Sequence, residues 1–509
     1  MSATLMLAII GFYFLVLIVI SKLTSKNESN SNFFLAGKSA PWYLVAFGMV
    51  GASLSGITFI SIPGKVGATN EAGEFVEQFA YMQMVLGYLV GYLFVAFVLM
   101  PVYYKLNVTS IYTYLQKRFG QAAYKMGAFY FLISRTTGAA IRLLLVANVL
   151  QEFAFNELGV PFAVTVAISI ALIWVYTFKG GIKTIIWTDT LQTLFMLIAL
   201  GMALYILTDA LNTSKIGLVQ TITDSGMGKW FFFDNFSTSG NHFIKHFLGG
   251  MFITIGMTGM DQDMMQKNLA CKNIKQAQLN MVSFSGVLLI VNFLFLALGV
   301  LLFLFAAQQG IDIPMSDTGK LRTDLLFPEI ALRSNLSLAM SVFFLLGLIA
   351  AAYSSADSAL TSLTTSVCVD FLDIEKKEER AQIRIRKLAH IGMSFALFFV
   401  VLILHYTLDL SAIGQLIFLA GFTYGPLIGL FTFGLFTKKK TNPIAFPIIA
   451  VLAPILTYVF VSKSQEWFDG FVFGALHIVL NSVLTFGLLY LSTLFMTPST
   501  EKSGELLDI

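Results

Sequence analysis

Thirteen stretches of this chain are apolar almost without interruption over the length needed to cross a bilayer, and nothing else in the sequence limits its architecture as much. They lie near residues 4–21, 42–62, 80–104, 123–151, 161–178, 184–208, 243–265, 277–307, 334–368, 388–407, 411–436, 442–462 and 470–495. In lipid a backbone must satisfy its own hydrogen bonds, so only helices and closed barrels cross, and a helix needs about 20 apolar residues to do so. Barrel strands are short and alternate in polarity, whereas these runs are long and continuous, so they read as helices. Several exceed that length, which predicts tilt or protrusion. Of 509 residues 57% are apolar and 12% charged, against about 25% charged in a water-soluble domain. The mean hydropathy is +0.79. The expected fold class is all-α and polytopic, with about 13 transmembrane helices embedded in membrane lipid.

Several other classes are excluded. The net charge of +4 is not gathered into a patch that would bind nucleic acid. Cys271 and Cys368 give neither a disulfide framework nor a metal-ligand spacing, and read as free thiols. The first run, Thr4 to Ile20, has no basic residue before it and no small-residue cleavage pattern after it. With Lys22 and Lys26 following, it reads as a retained anchor and not as a signal peptide.

Basic residues orient the chain. If the N-terminus lies outside, 20 Lys and Arg fall in cytoplasmic loops, among them Lys267, Lys272, Lys275, the six of 370–387 and Lys438 to Lys440, and 8 fall on the other face. Cytoplasmic loops carry the excess of Lys and Arg, so the expectation is N-terminus out and C-terminus in. Residues 370–387 read as a solvated cytoplasmic connector with a short amphipathic helix, and the tail after Pro498 is polar.

A membrane helix needs no polar side chain to be stable, so the exceptions mark the work. Residues Gly48 to Thr58 hold three glycines and three hydroxyls in eleven positions. Such a segment invites an unwound stretch whose carbonyl oxygens bind a cation, or serves as a small-residue packing seam. In the ninth run, Ser354, Asp357 and Ser358 share one helical face, with Ser355 beside them. Hydroxyls and a carboxylate are hard oxygens that suit a small hard cation. Asp189 stands just inside the sixth run, where the plain reading is an interfacial helix cap. Arg135 and Arg142 lie two turns apart on one face of the fourth, where they either pair with carboxylates or offer an anion site. The seventh run also looks broken, from Gly249 to Gly259 and on to Asp261 and Asp263. Interrupted helices opening two five-helix halves point to an inverted repeat with its site at the midplane.

These residues resemble the solute:sodium symporter family, which includes sodium–glucose, sodium–proline and sodium–sialic acid transporters. The most specific segments are Lys179-Gly180-Gly181-Ile182-Lys183 running into Trp187-Thr188-Asp189, and Ala351 to Ser358; Phe33 to Lys38 and Leu106 to Leu115 are also similar. The resemblance implies a leucine-transporter-type core of two inverted five-helix repeats plus three peripheral helices. It divides the chain into a peripheral helix and cytoplasmic loop (1–41), a first repeat (42–208), an extracellular loop (209–242), a second repeat (243–436), two further helices (437–495) and a cytoplasmic tail (496–509). It implies a sodium site from the carbonyls of Gly51, Leu54 and Ala351 and the hydroxyls of Ser354 and Ser355. A second cation site, seen in some relatives, would take Asp189, Ser354, Asp357 and Ser358. Here Asp357 replaces a hydroxyl, so the site holds sodium more strongly or binds a proton instead. The solute pocket implied by family geometry lies beside Ser53, Ser55, Thr58 and Phe59, with Gln83 opposite. In the sialic acid branch an arginine of the third core helix holds the substrate carboxylate; Arg135 and Arg142 lie close to that position and not on it.

The expected function is sodium-coupled import of a small organic solute, a sugar, carboxylate, amino acid or vitamin, through the plasma membrane of a bacterial cell. A sensor or channel built on a transporter-like domain is the alternative. An enzyme is not expected: it would need an apposed nucleophile and base or a metal triad, and the one H-x-x-x-H pair on a membrane-embedded face, His242 and His246, sits at the outer edge of the seventh run. The sequence leaves the solute, the sodium stoichiometry and the oligomeric state open.

Overall fold

The computed structural model of the protein describes residues 3–24, 30–70, 73–178, 181–213, 216–315, 321–334, 336–407 and 412–495. Lys179 and Gly180 of the family-like segment, and the tail 496–509, lie outside the described residues. All thirteen apolar stretches are helical. In order they are α1 (Ala3–Thr24), α2 (Trp42–Ser53) with α3 (Gly56–Lys65), α4 (Tyr81–Leu106), α5 (Gln121–Leu158), α6 (Phe162–Thr177), α7 (Gly181–Ala210), and α8 (Phe243–Thr254) with α9 (Gln262–Leu269). There follow α10 (Ile274–Gln309), α11 (Leu338–Phe371), α12 (Glu379–Thr407), α13 (Ala412–Phe436), α14 (Ala445–Ser462) and α15 (His477–Ser492).

Among the described residues ten helices are long and apolar enough to cross a membrane alone, and the bent pair α2 and α3 makes an eleventh. The other two expected spans are helical but do not meet that measure: α6 has 16 residues, and 243–265 is interrupted. Apolar side chains such as Phe395, Phe399 and Ile403 of α12 stand exposed on the outside of the bundle. A chain that turns such residues outward is solvated by lipid, and the protein is a multi-pass membrane protein. Helix α12 begins at Glu379, nine residues before the expected 388, because Glu379 to Lys387 continue the helix beyond the apolar run. Arg386, expected in a solvated connector, is buried with its guanidinium over the Phe33 ring.

The helix that organises the site is α7, which packs against α2 on one side and α11 on the other. Glycine makes the first contact possible. A Cβ at Gly48 would sit 3.0 Å from that of Asp189, and the Gly51 amide donates to Thr193 Oγ1 at 3.0 Å. A side chain at Gly51 would collide with that hydroxyl. The small residues of the second run therefore serve close packing as well as the break.

Candidate functional site

The helix α2 stops at Ser53 because Leu54 (φ −81°, ψ 77°) and Ser55 (ψ 177°) leave helical geometry, and α3 resumes at Gly56 with its axis turned by 57°. A helix end strands its last carbonyls, here those following Val50, whose own carbonyl still accepts from the Leu54 amide at 2.8 Å. The nearest neighbour is α11. Ser355 Oγ donates to the Ala52 carbonyl at 3.3 Å, and Gly56 packs against Ala352. Gly51, Leu54, Ala351, Ser354 and Ser355 are all buried where these helices meet.

The second break differs. Beyond α8 a single wide turn, Ile255–Gly259, leads to non-helical Met260 and Asp261. Its freed carbonyls already have donors: Tyr103 OH bonds Gly259 at 2.8 Å and Tyr112 OH bonds Met260 at 3.0 Å. Asp261 caps α9 through the amides of Asp263 and Met264 and accepts from Tyr424 OH. Of the two interruptions, the first has one hydroxyl of a neighbouring helix, that of Ser355, bonded to one of its carbonyls, and the second is closed by tyrosines.

The acidic cluster is assembled from helices far apart in sequence. Asp189 on α7 accepts from Ser354 Oγ at 2.6 Å through one oxygen and from Lys267 Nζ at 2.7 Å through the other. Gln192, with its amide oriented to satisfy both ends, donates to Asp189 at 3.2 Å and accepts from Tyr13 OH at 3.0 Å. Asp357 accepts from Tyr176 OH at 2.7 Å and from the Ser358 amide. Among the described residues the hydroxyls of Ser358 and Thr361, both buried, have no hydrogen-bond partner. Asp189 is thus no mere helix cap, and Lys267 is no loop charge: it lies on α9, 1% exposed. It leaves the cytoplasmic tally of basic residues that orients the chain.

Beside the first break lies a cavity of about 100 Å³, walled by Ser53, Ser55 and Thr58 together with Arg135, Arg142 and Asn292. A second, of about 70 Å³, adjoins it and shares both arginines. The arginines differ sharply. Arg135 is ion-paired with Asp263, both buried. Arg142 is 6% exposed and makes no hydrogen bond or ion pair among the described residues. The Asn292 side-chain oxygen on the same wall is also without a partner among the described residues.

Two expected pocket residues are placed elsewhere. Phe59 packs in an aromatic cluster with Phe295, Phe327 and Phe344. Gln83 ties α4 to the 209–242 segment, donating to the Asn241 carbonyl at 2.9 Å and accepting from the Phe232 amide at 3.0 Å. Neither lines the cavity. An apolar ring on the far side of a helix, and an amide whose partners lie some 150 residues away, cannot be distinguished from pocket residues by motif position. Sequence reasoning missed Asn292, Asp263 and Lys267. Asn292 carried the clearest signal, an amide in the middle of an apolar run. His242 and His246 hold local structure, the first capping the Ile244 amide and the second facing the Ala80 carbonyl at 3.0 Å.

Comparison with known proteins places this geometry. The sequence model of the Sodium:solute symporter family matches residues 33–450. The sodium/sialic acid symporter of Aliivibrio fischeri is 26% identical over 472 residues, covering 90% of this chain and 88% of that one. The human sodium/iodide cotransporter is 27% identical, covering 82% of this chain and 62% of its own. Among solved structures, a Na⁺-coupled sialic acid symporter in a substrate-bound, outward-open state is similar with a TM-score of 0.80 and 20% identity, covering 97% and 98% of the two chains. The fold is that of the leucine-transporter-type carriers.

Proposed function

The chain belongs to the sodium:solute symporter family, a family of sodium-coupled carriers of small solutes, and from that premise we propose that its cargo is a small organic anion met by Arg142. One observation carries the reading. A buried charge is normally paired, yet Arg142 stands in the cavity wall without an anionic partner among the described residues, while its neighbour Arg135 has Asp263. A carboxylate entering the cavity supplies the missing charge and accepts the guanidinium's paired N–H groups. Asn292 and the hydroxyls of Ser53, Ser55 and Thr58 offer partners to the solute's polar groups. Family membership does not choose the cargo, since it includes carriers of neutral sugars. The sialic acid and iodide carriers among the relatives move anions, as proposed here.

Sodium, the co-transported ion, is proposed to bind between the carbonyls of Gly51, Leu54 and Ala351 and the hydroxyls of Ser354 and Ser355. The contact of Ser355 with the Ala52 carbonyl brings hard oxygens of both helices within one ion's reach. Ser354 can donate its proton to Asp189 and still present lone pairs to sodium. An ion there would hold the broken helix, whose Ser53 and Ser55 face the solute, against α11. Solute binding and sodium binding would in that way favour the same arrangement, and that mutual preference is the thermodynamic content of coupling. We further propose that the halves run over 42–208 and 243–436, each opening on an interrupted helix, with the N-terminus outside a bacterial inner membrane.

The test is a thermal-shift screen of purified protein against carboxylates, sugars, amino acids and vitamins, each in sodium and in potassium. The reading expects an organic acid to stabilise the protein in sodium and much less in potassium. Stabilisation by a neutral sugar alone would overturn the anion assignment.

A further inference from the structure

At the expected second cation position the chain supplies a positive charge of its own. Asp189, Ser354, Asp357 and Ser358, which the sequence gathers as ligands of a second ion, do come together, but the positive charge on Asp189 is the Lys267 ammonium at 2.7 Å. Ser354 takes the other Asp189 oxygen at 2.6 Å. Both oxygens of Asp357 have donors in Tyr176 and the Ser358 amide. Lys267 and Asp189 are 1% and 0% exposed in their side chains, so neither has water as an alternative partner.

We infer that Lys267 stands in for the second sodium ion, so that this carrier moves a single sodium per cycle. The ammonium excludes sodium from Asp189. A sodium ion on Asp189 would lie in contact with an ammonium, and like charges buried side by side are disfavoured far more strongly than in water. The ammonium has the charge and the donors that Asp189 requires, and it is tethered, so no ion enters or leaves with the transport cycle at this place. Lys267 also ties α9 to α7, and through Ser354 to α11. The position a travelling ion would occupy is here a fixed interhelical contact.

The inference rests on the sodium reading given above, and its test separates the two. Stabilisation of the purified carrier is followed against the logarithm of sodium concentration, at constant ionic strength with choline. Above the dissociation constant, each ion that binds only the folded protein adds one equal increment to that slope. The parent should show the slope of one ion. Lys267→Met, nearly isosteric and uncharged, opens Asp189 to sodium and should roughly double the slope, with the sodium Hill coefficient of uptake rising from about 1 towards about 2. The variant D189N/K267M, neutral at both positions, should return to the slope of one ion, and serves also where Lys267→Met folds poorly. A parental slope of two ions, an unchanged slope in Lys267→Met, or the loss of one ion's increment in D189N/K267M would each overturn the inference. A parent indifferent to sodium would remove both this inference and the sodium site on which it rests.

Discussion

Arg142→Gln separates recognition from folding, because the structure gives the two cavity arginines opposite roles. Among the described residues the guanidinium of Arg142 has no partner to strand, and its replacement relieves a buried charge. Folding should therefore be unharmed or slightly improved. The solute loses a charge-assisted contact of about 1.5–3 kcal/mol, which corresponds to a KM raised roughly 10- to 150-fold. Arg135→Gln has the opposite profile. It leaves Asp263 buried and alone, and breaking a buried pair costs about 3–5 kcal/mol, so the melting temperature falls sharply. The assay is uptake into proteoliposomes of the acid identified by thermal shift, with the melting temperature of each purified variant measured alongside. The half-saturating sodium concentration at saturating solute should stay near parental in Arg142→Gln. An unchanged solute KM in that variant would refute the argument. So would a loss of stability in Arg142→Gln equal to that in Arg135→Gln, since it would mean that Arg142 is paired after all.

Ser355→Ala removes a hydroxyl that reaches the broken helix and should raise the half-saturating sodium concentration about tenfold, equivalent to about 1.4 kcal/mol, with little change in thermal stability in sodium-free buffer. Gly51→Ala drives a methyl group into Thr193 Oγ1, and overpacking of this kind costs about 1–3 kcal/mol, read as a lowered unfolding temperature. For orientation, Asp234→Cys in the 209–242 segment should react with an impermeant thiol reagent in intact cells, and Lys377→Cys only after permeabilisation. Both positions are exposed, and the native Cys271 and Cys368 are buried, so labelling reports on the introduced thiols.

What could be read from the sequence was whatever lies within one helix. The glycines and hydroxyls of Gly48 to Thr58 announced a break because local composition decides where a helix unwinds, and it unwinds at Leu54 and Ser55. The shared face of Ser354, Asp357 and Ser358 follows from helical periodicity alone. The meeting of Asp189 with Ser354 came from family likeness, since nothing local links positions 165 residues apart. Three things were illegible for the same reason. Arg135 and Arg142 look equivalent along their helix, and what separates them is Asp263, 128 residues from Arg135. Lys267 sits beside Lys272 and Lys275 in sequence and was counted with them as a loop charge, whereas a short helix after the second break turns it inward. Gln83, a polar side chain in an apolar run, has the signature of a pocket residue, but its partners belong to a distant connecting segment.

The central claim is tested most directly by a sodium gradient imposed across proteoliposomes that contain the purified carrier and a labelled organic acid outside. The account predicts accumulation above the external concentration when sodium is high outside, collapse when a sodium ionophore is added, and none when potassium replaces sodium. Uptake that is equal in sodium and potassium and never exceeds equilibration would contradict it.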